Sequence, residues 1–377
     1  MPPAYDVAVI GAGIAGASAA AELAATARVA LLEMEDRPGR HTTGRSAALF
    51  SKTYGPAPIR ALSRASEAFF DAPPEGFAGA PLLSPRGVLY PARGDQLPAL
   101  EAMLEALSGR ARLRRLSAAE ARALCPLLRP DYAAAAILDD EARDIDVAAL
   151  HEGFLRRLRA LGGDLICKAE ATSLSRDGGG WRIETGAGEI RAEVVVNAAG
   201  AWADLVAEAA GVTPVGLVPK RRTALIVAAP EGVDPSPMRM AVDVEEGFYL
   251  KPEAGKLLIS PADETPAPPS DVQPEEMDIA VCVDRIERAF ELSIRRIEHK
   301  WAGLRSFVAD KAPVAGPAPD APGFVWLAGQ GGYGIQTAPA MGRLAAASAL
   351  GRPIPQDILD QGLDPSDLAP GRPGLGA

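Results

Sequence analysis

At 377 residues, with 48% hydrophobic and 23% charged side chains, the chain has the composition of a globular protein large enough for two domains. Its net charge of -10 excludes a nucleic-acid groove, which needs clustered Lys and Arg. Three dispersed cysteines and three dispersed histidines, without CxxC or HExxH spacing, exclude a disulfide framework and predict no metal site, which leaves small-molecule chemistry.

The opening MPPAYDVAVIGAG has neither a basic nor an apolar leader, and no later stretch approaches about 18 uninterrupted apolar residues. The expected location is the cytoplasm, free or peripheral at the inner membrane, with no transmembrane segment. YDVAVI (5–10) is a β-branched apolar run, GAGIAG follows it, and the alanine-rich ASAAAELAATA favours a helix. RVALLEM (28–34) then supplies a second strand, closing a βαβ unit.

Gly11, Gly13 and Gly16 satisfy GxGxxG around Ile14 and Ala15, directly after a strand and at the start of a helix. Glycine there permits the tight turn, the approach of backbone to a pyrophosphate and the packing of helix on strand, while the helix N-terminus supplies amide donors. Glu33, 22 residues after Gly11 and followed by Met34, stands where an acid accepts from ribose hydroxyls and repels a 2'-phosphate. NADP is disfavoured; NAD and FAD remain. The next segment, GRHTTGRSAALF (39–50), is too polar to be a simple continuation of a dinucleotide-binding fold. Its hydroxyls and guanidiniums suit phosphates and the edge of a ring.

The middle of the chain is rich in proline and in strand-like pieces, at 86–92, 221–230 and 247–261, which predicts an antiparallel sheet. Between these pieces VAALHEGFLRRLRALGG reads as a helix capped by Asp144 or Asp146, and a hairpin turns at DGGG. AEVVVNAAGAWADLVAEAAG repeats strand, glycine turn and helix, and GFVWLAGQGGYGIQTAPAMGRLAAASALG does so again. The predicted fold is α/β: a Rossmann-like FAD-binding domain (1–80, 145–212 and 308–363) interrupted by an α+β substrate domain on an antiparallel sheet (81–144 and 213–307). Residues 364–377, rich in Pro and Gly, are expected to be a flexible tail. A nicotinamide enzyme of the simple Rossmann type needs no second and third glycine turn. A flavin does, because its ring must be held along its length and its pyrimidine end becomes anionic on reduction, which a helix N-terminus near Gly332 to Gln336 would favour.

If the substrate is a 2-amino acid, its carboxylate wants an arginine fork. Arg305 in WAGLRSF and one of Arg221 and Arg222 in PKRRTALI stand among apolar residues, and strand alternation lets only one of the latter pair enter a cavity. Tyr249 in FYLKP and Tyr54 on a preceding loop are candidate hydroxyl donors. Asp243, Glu245 and Glu246, near Tyr249, are the acids placed to meet a cationic side chain.

Together DVAVIGAGIAGASAA, TTGRSAA, PLLSPRG, VVNAAGAWAD, PKRRTALI, FYLKP, WAGLRSFVAD and GQGGYGIQT resemble the FAD-dependent D-amino acid oxidase superfamily, in its glycine oxidase and sarcosine oxidase branch, and most of all soluble bacterial D-amino acid dehydrogenases of the D-arginine dehydrogenase type. The resemblance implies FAD, held non-covalently because the C-terminal glycine loop has no Cys or His. It implies contacts from His41, Thr42, Thr43, Gly44, Arg45, Ser46, Ala47, Ala48 and Leu49, from Ala171 at the adenine, from Ala199, Gly200 and Trp202, and from Gly331, Gly332, Tyr333, Gly334, Ile335 and Gln336 at the isoalloxazine. It selects Arg222 over Arg221, and implies that Tyr54, Arg222, Tyr249, Arg305 and Gln336 position the substrate's carboxylate and amine. Leu49 and Phe50 stand where relatives carry a His-Tyr pair, which predicts a more apolar pocket than one for arginine. The implied reaction is oxidation of D-amino acids to 2-keto acids and ammonia, with electrons passed to a quinone or another acceptor. An oxidase of glycine, sarcosine or another secondary amine, and a non-catalytic flavin-binding relay subunit, are the alternatives.

Overall fold

Parallel strands covered on both faces read as continuous apolar runs, and the computed structural model, which describes residues 4–108 and 112–376, is built around a sheet with five parallel strands. Strand Ala4–Ile10 pairs in parallel with Val29–Leu32 on one side and Gly188–Asn197 on the other. Gly188–Asn197 takes Phe324–Ala328 as its next parallel neighbour, and Asp164–Ile166 extends the opposite edge. The three glycine junctions separated by hundreds of residues in sequence therefore sit at the C-terminal ends of three adjacent strands. That is where open α/β sheets bind ligands. The hairpin Ala171–Asp177 and Gly180–Thr185 turns at Gly178 and Gly179 and joins this sheet antiparallel.

Helix Ile14–Leu23 lies against helix Gly334–Ala349, and small residues let the two approach closely: a Cβ added at Gly342 would stand 2.9 Å from Ser18. Helix Val147–Ala160 is capped by Asp146, whose Oδ1 accepts the Ala149 amide at 2.8 Å. Asp144, the other candidate cap, instead pairs with Arg86 and Lys251.

The second sheet is mostly antiparallel, and its nine strands fall between residues 88 and 307. Its strand Val218–Val227 pairs from Val218 to Ile226 with His299–Phe307, setting Lys220 opposite Arg305 and Arg222 opposite Gly303. A small sheet of Leu49–Phe50, Leu83–Pro85 and Arg143–Ile145 bridges the two layers. Helices Ala57–Asp71 and Glu276–Ala289 add to the elements read from the sequence. The C-terminal segment departs from expectation. Leu368 is buried, and the Arg372 guanidinium binds Asp310, Ala312 O and Pro313 O, so a run of Pro and Gly is packed onto the body instead of frayed.

Candidate active site

A cavity of about 410 Å³ opens over the ends of the three adjacent strands. Its floor is the first glycine loop. Gly11 has φ +99°, and a Cβ there would lie 2.6 Å from Ala198 O; one at Gly16 would collide with Gly11 O. Glycine is thus a steric requirement of the loop, which brings the start of helix Ile14–Leu23 to the cavity wall. The Ile14 amide donates to Thr43 Oγ1 at 3.0 Å, joining the glycine loop to the polar segment after Gly39. His151, buried on helix Val147–Ala160, braces the same place: its Nε2 meets Ala12 O at 2.9 Å, and its ring fills the space a Cβ on Gly39 would need.

Glu33 lines the cavity, accepting the Ala12 and Glu35 amides at 3.0 Å each. Burial nonetheless raises its pKa, the two amides opposing the shift. Met34, His41, Thr42, Thr43, Ala171, Ala199, Gly200 and Trp202 complete much of the wall, with His41 tilted over Trp202 at 4.8 Å between ring centroids and bonded to Glu35. Two buried polar atoms on this wall, His41 Nδ1 and Gln330 Nε2, have no hydrogen-bond partner among the described residues. A cavity lined by a glycine loop at the start of a helix, by a carboxylate and by polar atoms without partners among the described residues fits a dinucleotide. Gln330 was not anticipated; its only signal in sequence is one amide side chain opening a glycine run.

Beyond Gly331 and Gly334, which line both spaces, lies a smaller cavity of about 60 Å³. Arg222, Arg305, Tyr249, Arg45, Ser46, Ala47, Gly332 and Ile335 are among its lining. Alternation along Val218–Val227 sends Arg221 the other way, to Glu275, Asp278 and Asp263. Arg222 donates Nε to Asp263 O at 2.8 Å and Nη2 to Glu264 at 3.2 Å, and its Nη1 makes no hydrogen bond among the described residues. Arg305 forms no ion pair among them; its neighbours are the Tyr54 and Tyr249 phenols. A Cβ on Gly332 would stand 2.8 Å from Arg305 Nη1, so bare backbone at 332 is what gives the guanidinium its place. Burial, and then repulsion from Arg305, lowers the pKa of Arg222. Burial raises that of Tyr54, with Arg305 acting against it. Two guanidiniums facing one small space, with no acidic residue in its lining, are an arrangement that could take up a single carboxylate.

Several expected contacts lie elsewhere. Gln336 is turned into the protein, where its Oε1 accepts the Ser51 amide at 3.0 Å and its Nε2 donates to Ser63 Oγ at 2.9 Å, so it does not line either cavity. The Arg45 guanidinium is tied to Asp271, Val272 O and Ala302 O and is not free for a phosphate. Gly44 forms a turn with Gly39, and the Tyr333 ring packs on Tyr54 and Phe307. Ala48 packs on the core, and Leu49 packs on the cluster around Tyr90 and Tyr249. Phe50 is buried against Phe70, so it does not shape the pocket. Asp243 and Glu245 are occupied by Gln96; Glu246 is exposed, near enough to raise the pKa values of Tyr54 and Tyr333.

The family model described as DAO, FAD dependent oxidoreductase, matches residues 6–348. The chain belongs to this family. FAD is accordingly its cofactor, and the larger cavity fits it, with the glycine loop, Glu33, His41 to Thr43, Ala171, Trp202 and Gln330 as the residues that would hold it. The structure of glycine oxidase from Geobacillus kaustophilus superposes with a TM-score of 0.80 over 93% of this chain and 95% of that one at 24% identity. The iminodiacetate oxidase from Chelativorans sp. BNC1 gives 0.78 over 92% and 96%, also at 24%. Among curated sequences, mouse mitochondrial dimethylglycine dehydrogenase is 28% identical over 263 residues, 64% of this chain and 30% of that protein. The Geobacillus glycine oxidase is 26% identical over 205 residues, 53% and 49%. The matched segments thus span about a third to a half of these curated relatives.

Proposed function

We propose that the protein oxidises the α-carbon–nitrogen bond of a small amino acid, with D-amino acids as the first substrate class, giving an imino acid that water hydrolyses to a 2-keto acid and ammonia. The observation that carries this reading is Arg305, a guanidinium without a carboxylate partner among the described residues, facing a cavity of about 60 Å³ beside the dinucleotide cavity. Bound FAD supplies the two-electron acceptor for such chemistry. The residues of this chain do the rest by positioning. Arg305 presents its fork to the substrate carboxylate, and Arg222 adds its free Nη1. Tyr249, in the same lining, offers a hydroxyl to that carboxylate. The two guanidiniums, with no acid in the lining to offset them, press the substrate amine toward its neutral form, the form from which oxidation proceeds. The D configuration, non-covalent FAD and a quinone or other acceptor rest on the motif resemblance.

The size of the cavity and the likeness to glycine oxidase and dimethylglycine dehydrogenase favour a second reading, oxidation of glycine or a secondary amine such as sarcosine. A relay subunit would need no carboxylate clamp. Product analysis separates the readings: ammonia and pyruvate from D-alanine support the first, and turnover of glycine or sarcosine alone supports the second. No helix among the described residues is long and apolar enough to cross a membrane.

A further inference from the structure

The segment Ser51 to Tyr54 joins the strand Leu49–Phe50 to the turn before helix Ala57–Asp71, and its residues alternate, with Ser51 and Thr53 buried and Lys52 and Tyr54 partly exposed. Both buried hydroxyls meet one carboxylate. Asp139, ending the strand Ala135–Asp139 and 3% exposed, accepts Ser51 Oγ at 3.0 Å and Thr53 Oγ1 at 2.8 Å on Oδ2, and the Glu141 amide at 3.2 Å on Oδ1. Thr53 also meets the Tyr90 phenol. From the opposite side Gln336 holds the Ser51 amide.

A carboxylate buried this deeply is ordinarily paired with a cation, because desolvation is otherwise uncompensated. Asp139 forms no ion pair among the described residues; two of its three donors belong to the segment that ends at Tyr54. Tyr54 in turn lies against Arg305. We propose that Asp139 is a positioning residue for substrate binding, fixing Tyr54 against Arg305 through Ser51 and Thr53, so that guanidinium and phenol meet the substrate carboxylate in one arrangement. The inference rests on the reading that Arg305 takes that carboxylate.

A double-mutant cycle on the FAD-loaded full chain tests it, with Asp139→Asn and Tyr54→Phe measured on whichever of D-alanine, glycine and sarcosine is turned over fastest. Asp139→Asn is expected to raise KM about tenfold with kcat within about twofold, and the double variant to be no worse than Tyr54→Phe alone. A multiplicative loss in the double variant, or an unchanged KM in either single variant, overturns the proposal. Should Asp139→Asn fail to accumulate, Thr53→Val removes one of the two hydroxyls with little change of shape. It is expected to raise KM about threefold or more, and a KM equal to that of the unmodified protein overturns the proposal. Arg305→Ala separates the two levels: an unchanged KM there defeats the carboxylate reading itself, whereas a raised KM beside a multiplicative cycle defeats only the role of Asp139.

Discussion

Arg305→Ala removes a cavity-facing guanidinium that has no ion pair among the described residues. The side chain lines the smaller cavity and not the larger one, so the variant should purify with FAD and an unchanged flavin spectrum. What it loses is a charge-assisted fork to the substrate carboxylate. Arg222 remains, with Nε and Nη2 already committed to Asp263 and Glu264 and only Nη1 left to donate. The loss of the fork is worth about 2–5 kcal/mol of binding. At about 1.4 kcal/mol per tenfold, this is a rise in KM of roughly 30-fold to 3,000-fold. Stability should change little, since removing the guanidinium relieves the repulsion felt by Arg222 but also gives up its contacts with Tyr54 and Tyr249. Steady-state kinetics with an artificial electron acceptor, flavin absorbance and a thermal melt give the three readouts. A KM within about threefold of the unmodified protein would refute the clamp.

Other consequences follow from the same geometry. Arg221→Met should lower stability by about 3 kcal/mol, because Asp278 and Asp263 lose their cation, with KM unchanged; Arg222→Met should raise KM at least about tenfold with a smaller effect on the melt. Gly11→Ala places a Cβ 2.6 Å from Ala198 O at φ +99°, and should yield protein that purifies without flavin absorbance. The pKa of His151 is depressed from 6.5, chiefly by burial, so its contribution to stability is present above that value and is lost as pH falls through the lower folded-state value. The melting temperature of the FAD-loaded protein should therefore drop below about pH 6, and His151→Gln, which still has a donor for Ala12 O, should flatten that drop.

The first glycine loop was legible because much of its cause is local: Gly11 has φ +99°, a Cβ at Gly16 would run into Gly11 O, and strand and helix composition on either side gives the context. Alternation likewise shows that Arg221 and Arg222 part company. Which one faces the cavity is set by acids far away in sequence, Asp278 and Glu275 at the start of helix Glu276–Ala289 claiming Arg221. The same non-locality explains the misplaced residues. Gln336 is drawn inward by Ser51 and Ser63, and Arg45 by Asp271 and Ala302, partners more than 200 residues distant that no spacing rule reveals. The packed C-terminus follows the same pattern, held by Arg372 on Asp310 while its composition signals only turns.

The central claim is that a carboxylate-bearing amine reacts at the cavity lined by Arg305 and Arg222. Anaerobic mixing of the FAD-loaded protein with D-alanine, L-alanine, glycine and sarcosine, followed by flavin absorbance, tests it most directly. The account predicts bleaching by D-alanine and none by L-alanine, with the response lost at matched concentration in Arg305→Ala. Bleaching by none of the four, or bleaching that persists undiminished in Arg305→Ala, would contradict it, and bleaching by L-alanine alone would overturn the D preference.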